Sequence, residues 1–226
     1  RPARPGEISL ANNGVLFLDE LPEFARSTLE ALRQPLESGR INISRVNSHV
    51  EFPAKIQLVA AMNPCRCGHL GNPARECPRA PKCAQEYQAK ISGPLLDRID
   101  IQIEVPAVSP WDMSEVASGE SSADIRKRVV AAREVQQQRF DKFERGDLHT
   151  NSELSGDMLE EAAIMDNDAK ELLINYANRV KLSARGYNRT LKLARTIADL
   201  QNEIKLHKIH IAEALSMRWK VPEYKI

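Results

Sequence analysis

The chain has 226 residues, 42% hydrophobic and 28% charged, which allows one large domain or a core domain with a smaller partner. Its longest apolar runs, at 15–18 and 58–62, are far too short to span a bilayer. With 32 basic against 31 acidic residues the chain is neither a polybasic nucleic-acid arm nor an acidic tail, so any anionic partner must be held locally.

The chain opens on Arg1-Pro2, without Met or a charged-then-apolar leader, which reads as the cut end of a longer protein. Glycine is scarce, at 10 of 226, and neither G-x-x-x-x-G-K-[ST] nor G-x-G-x-x-G occurs. Gly68 and Gly71 come nearest but lack the Lys and Ser or Thr, so no self-sufficient cradle for nucleotide phosphates is expected.

Val15-Leu16-Phe17-Leu18, ending in Asp19-Glu20, predicts a strand covered on both faces of a parallel sheet, with its carboxylates at the C-terminal edge where open α/β sheets bind ligands. Pro22 suits a helix start. Ala25, Leu29, Leu32 and Leu36 then recur at helical spacing up to Gly39, and Pro35 should kink that helix or end it early. Ile41, Ile43, Val50 and Phe52 predict a β-hairpin with Arg45 and His49 near its tip. A second core strand follows over 56–62, ending at Asn63-Pro64. A short helix over 92–98 then leads into an alternating third strand, Ile99, Ile101, Ile103, Val105. The stretch 64–90 has four prolines and no apolar period, and reads as a long functional or clipped loop. After a polar linker at 108–122 nearly everything reads helical, with candidates at 123–140, 156–164, 169–180, 184–205 and 209–219.

A hydrophobic strand followed by Asp-Glu is the Walker B pattern. Asp19 would hold Mg²⁺ directly or through water, while Glu20 would orient and deprotonate a water that attacks a nucleotide. The same pair could instead cap the next helix. Asn63, ending the neighbouring strand, could position that water or sense the γ-phosphate, or it could simply form a turn. Arg98 would be an arginine finger donated to an adjacent subunit, against an internal salt bridge to Asp97 or Asp100. In the last long helix Leu193, Ile197, Leu200 and Ile204 form an apolar stripe flanked by Arg185, Arg189 and Lys192. Those cations border the buried seam, where they could reach a phosphate or merely snorkel.

Cys65, Cys67, Cys77 and Cys83, without a secretory signal, point to a reducing, cytoplasmic setting and a structural tetrathiolate zinc site, with His69 as a substitute ligand and free thiols as the alternative. Metal would explain order in a loop that has no core of its own.

The segments Gly6 to Ala11, Gly14 to Phe24, Ala61-Met62-Asn63-Pro64-Cys65, Ser92 to Asp100, and Leu182 to Arg189 together closely resemble the magnesium-chelatase-like AAA+ proteins of the ComM/YifB family, over essentially the whole chain. The resemblance implies an incomplete α/β AAA+ core with a hairpin insertion over 1–107, the linker, and an all-α lid over 123–226. It implies ATP and Mg²⁺ as ligands, with Asp19 and Glu20 as Walker B, Asn63 as sensor 1, Arg98 as finger, and Arg185, then Arg189, as sensor 2. The hairpin resembles the pre-sensor 1 insertion that points into the central channel of related motors. A hexamer acting on DNA follows from the resemblance, with branch migration during uptake of foreign DNA as its best-defined role and Arg45 and His49 as phosphate contacts. Two other readings stay open: a non-catalytic zinc-stabilised interaction module, and a motor subunit for metal insertion into a tetrapyrrole. Family members also carry a Lon-type N-terminal domain and a Walker A loop, neither of which is in this sequence. The resemblance therefore implies a C-terminal part with little or no ATP hydrolysis of its own, its sheet rearranged or shared between chains.

Overall fold

The computed structural model describes residues 3–45, 48–70, 75, 77–106, 108 and 119–218, the side chains of Arg45 and Ser48 excepted. The chain divides into two compact units between Ile99 and Asp100.

The first unit starts with one helical turn, α1 (Glu7–Leu10), and the strand β1 (Val15–Leu18), whose branched and aromatic residues suit a pleated backbone. β1 pairs in parallel with β4 (Gln57–Ala60), Val15 opposite Gln57 and Leu18 opposite Ala60. Alternation sends Leu16 and Leu18 to one face, where they pack with Met62 on Leu21, Leu29, Leu32, Ile91 and Leu95. The other face is not covered as the sequence led us to expect. Val15 and Phe17 are each 59% exposed and Val59 beside them 40%. A four-residue run is apolar throughout whichever face is buried, so the run alone cannot tell one case from the other.

Between these strands, a 3-10 turn at Leu21–Glu23 leads to α2 (Arg26–Ala31) and α3 (Arg33–Ser38). The helix breaks at Leu32, the interruption expected of Pro35, which has no N–H to give the Ala31 carbonyl. Gly39 caps α3 at φ +67°, in left-handed backbone that a side chain would strain. β2 (Arg40–Arg45) and β3 (Ser48–Pro53) form the antiparallel hairpin, Ile41 opposite Phe52 and Ile43 opposite Val50. After β4, α4 (Lys82–Gln88) lies inside the stretch read as structureless. Its buried side are Cys83, Ala84 and Tyr87, residues that an apolar-periodicity count passes over. α5 (Gly93–Leu96) follows, with Pro94 in its first turn.

In the second unit the third strand does not form. Residues 101–106 have no ladder partner among the described residues, Ile101, Ile103 and Val105 are 49%, 69% and 78% exposed, and the Gln102 N–H donates to the Met217 carbonyl at 2.7 Å. Alternation makes a strand only where a neighbour can take its hydrogen bonds. The helices α6 (Ser122–Lys142), α7 (Gly156–Ala162), α8 (Asn167–Val180), α9 (Ala184–Leu200) and α10 (Lys208–Ser216) match the helical reading, with ends shifted by a few residues. Ser121, Asp166 and Ser183 each cap a helix by accepting a backbone N–H three residues on, from Asp124, Ala169 and Gly186. At Gly186 a Cβ would meet Leu182 Cδ1 at 2.7 Å, so a larger residue in the first turn of α9 would have to displace the Leu182 side chain.

The seam of α9 is rotated from the expected stripe. Leu191, Ala194, Ile197 and Ala198 are buried, while Leu200 is 44% and Ile204 87% exposed. The reason is polar: Arg195, fully buried, pairs with Asp199 at 3.0 Å and donates to the Glu203 and Ile204 carbonyls, closing the turn after the helix. Arg139 grips both oxygens of Asp199, and Asn151 donates to it at 2.7 Å. No helix among the described residues is long and apolar enough to cross a membrane.

Candidate nucleotide site and metal centre

Parallel pairing places the ends of β1 and β4 side by side. The Ala61 N–H donates to the Leu18 carbonyl at 2.9 Å and the Leu21 N–H to the Ala61 carbonyl at 3.0 Å, stitching the two segments just beyond the ladder. Asp19, Glu20 and Asn63 therefore emerge at one edge, all three exposed. Glu20 sits in left-handed backbone at φ +51°, ψ +44°, and its N–H donates to Asp19 Oδ1 at 2.8 Å. A non-glycine residue in that region costs roughly 1–3 kcal/mol and persists only where the surroundings fix it, a pattern common at functional sites. This edge fits the metal-and-water end of a phosphate site, with two carboxylates and an amide held open to solvent.

Directly after Asn63 the chain enters the cysteine cluster. The sulfurs of Cys65, Cys67, Cys77 and Cys83 all lie within 4.8 Å of one another, Cys65 and Cys67 at 3.3 Å. Tetrahedral zinc with bonds of about 2.3 Å sets its sulfurs about 3.8 Å apart, so these four fit a tetrathiolate with small adjustment. Burial pushes the Cys65 thiol up, but hydrogen bonds from Cys67 and from the backbone N–H groups of Leu70, Cys67 and His69 outweigh it and hold it at about 7. The His69 N–H pulls Cys67 down, while Cys65 and Cys77 push it up to about 11. His69 thus meets the sulfurs through its backbone. Around the cluster, Gln88 Nε2 donates to the Pro64 carbonyl at 2.9 Å. Tyr87 is 3% exposed; burial first, then the charges of Glu23, Glu20 and Cys65, raise the pKa of its hydroxyl. Gln88 ties α4 to the chain beside Asn63, and Tyr87 packs buried in the same helix; nothing in the local pattern marks either residue.

Arg98 points inward. Its Nη1 donates to the Pro94 carbonyl at 2.7 Å and its Nη2 pairs with Glu37, a carboxylate 61 positions away, rather than with Asp97 or Asp100. In the hairpin, His49 Nδ1 lies 3.0 Å from Ser44 Oγ on the exposed surface, and Arg45 ends β2 opposite Ser48. In the second unit Arg185, Arg189 and Lys192 share one side of α9. Arg185 is exposed, Arg189 pairs with Asp100, and Lys192 Nζ donates to the Ser152 carbonyl at 2.7 Å. Burial lowers the pKa of Lys192, helped by the Arg189 charge.

Comparison with known proteins places these residues in a family. Residues 1–113 match the family model described as magnesium chelatase, subunit ChlI, and residues 119–218 the one described as magnesium chelatase, subunit ChlI C-terminal. The competence protein ComM of Haemophilus influenzae is 45% identical over 95% of this chain, which spans 41% of that protein. YifB of Salmonella typhimurium is 44% identical over 95% of the chain, again 41% of the relative. The MCM-type protein MJ1489 of Methanocaldococcus jannaschii is 25% identical over 91% of the chain and 29% of its own length. The chain thus covers about two fifths of the length of ComM and of YifB. It belongs to the magnesium chelatase ChlI family of AAA+-like proteins, as a homologue of ComM and YifB.

Proposed function

We propose that this chain is part of an ATP-driven ring motor that acts on DNA during recombination or uptake of foreign DNA. The observation that carries the reading is the parallel β1–β4 pairing, which delivers Asp19, Glu20 and Asn63 to one sheet edge. Mg²⁺ would supply charge neutralisation at the phosphates, with Asp19 as its protein anchor. Glu20, leaving the strand end on a left-handed backbone, takes the proton of the attacking water, and the Asn63 amide orients that water from just beyond the neighbouring strand. Arg98 serves the nucleotide of an adjacent subunit, Arg185 and Arg189 act as sensor 2, and the helical unit is the lid. The name of the H. influenzae relative supports a role in competence. Arg45 and His49 would contact phosphates from the hairpin, and the four cysteines would hold a structural zinc ion.

The test uses the full-length protein. Glu20→Gln should lower ATP turnover by about 10²- to 10⁴-fold. Arg98→Ala should also be inactive, and mixing the two variants should restore activity, because a mixed interface joins an intact Glu20 to an intact Arg98. Absence of rescue under conditions in which subunits exchange would remove Arg98 from its trans role. A Glu20→Gln variant that turns ATP over normally would overturn the motor reading.

A further inference from the structure

We propose that Glu37 is a positioning residue for Arg98: it holds the finger folded on its own subunit and gives it up to a phosphate on the neighbouring one. This inference rests on the reading of Arg98 as a trans-acting finger.

The Arg98 side chain is only 7% exposed, whereas its partner Glu37 is 45% exposed at the end of α3. Among the described residues, the Pro94 carbonyl of its own helix α5 and the Glu37 carboxylate of α3 both accept from the guanidinium. A finger that serves a neighbour cannot work from this position, so it must rotate. Space for the rotation exists: Arg98, Glu37, Glu30, Arg33, Gln34 and Ser38 line one open cleft of about 440 Å³. The chemistry favours exchange over simple release. A guanidinium presents the same fork to a carboxylate and to a phosphate, so phosphate oxygens can take the place of Glu37 without new donor geometry. A largely buried cation does not leave one anion without another, so Arg98 moves when the phosphate arrives and returns when it leaves. Glu37, half in solvent, can be rehydrated as it lets go.

The experiment measures ATP turnover by the full-length protein and its variants Glu37→Asp, Glu37→Gln, Arg98→Ala, Glu20→Gln and Glu37→Gln/Arg98→Ala. A partly exposed ion pair shifts an equilibrium by up to about five-fold, so Glu37→Gln should raise kcat by about that factor, with KM for ATP moving less than about two-fold. Glu37→Asp, whose carboxylate is one methylene shorter, should fall between wild type and Glu37→Gln, and it decides the matter if Glu37→Gln does not fold. The gain should vanish in the double variant, which should match Arg98→Ala alone. Turnover in Glu37→Asp and Glu37→Gln equal to or below wild type, while Glu20→Gln is inactive, would overturn the latch and leave the motor reading standing. Equal turnover in wild type and Glu20→Gln would sink the motor reading and the latch with it.

Discussion

At the level of single residues, Asp199 is a buried hub of charge. It is 2% exposed and serves Arg139, Arg195 and Asn151 at once. Removing one member of a buried charge pair leaves the others desolvated without compensation, which costs about 3–5 kcal/mol. Asp199→Ala is therefore expected to lower the denaturant-unfolding free energy of the helical unit by that amount, whereas Leu200→Ala, at a 44% exposed position, should cost far less. His210 gives a pH dependence. It is 1% exposed, accepts the His207 N–H on Nδ1 at 3.0 Å, and its Nε2 lies 3.0 Å from Gln201 Oε1, an arrangement that suits the neutral ring. Burial lowers its pKa, aided by the charges of His207 and Arg195 and opposed by Glu203 and Glu213. The unfolded chain, titrating near 6.5, takes up the proton first as pH falls, so stability is lost from about pH 7 downward until the folded ring also protonates. The thermal midpoint should drop between pH 7 and 5, and His210→Gln should flatten that drop.

At the level of elements, what was legible in the sequence was local chemistry. Asp19-Glu20 after an apolar run and Asn63 before a proline announce strand ends, and four closely spaced cysteines announce thiols that meet in space, because each signal lies within a few positions. What escaped depends on partners far along the chain. Arg98 finds Glu37 across 61 positions, and Arg139 finds Asp199 across 60. The alternating segment 101–106 has the composition of a strand and lacks a neighbour to pair with among the described residues. Arg195 and Asp199 look like solvent-facing helix residues until the turn at Glu203 and Ile204 folds over them. Within the cysteine loop the expected result is one zinc ion per chain, measured by atomic absorption. A chelator, or Cys77→Ser, should raise hydrogen exchange across α4, because ligation closes a loop whose core among the described residues is small: Cys65, Cys77, Cys83 and Ala84, with Leu70 packed against them.

At the level of the whole molecule, the two-stranded sheet leaves Val15, Phe17 and Val59 on a bare face. Sheets with open edges and an apolar surface associate. The 226-residue chain alone is expected to sediment above its 25.4 kDa monomer mass at high concentration, and Phe17→Lys should shift it toward the monomer. The hairpin has a different standing in the architecture. Its ladder closes on itself, with Arg40 opposite Pro53 and the Ala54 N–H bonded to the Gly39 carbonyl at 2.8 Å, so it leaves and rejoins the body at one point. It is in effect a detachable cartridge: a short turn spliced between Gly39 and Ala54 would excise it without touching the strand that carries Asp19 or the one that leads to Asn63. On the proposed motor reading such a graft would uncouple the engine from its track, and it would let hairpins from distant relatives be exchanged on a common chassis.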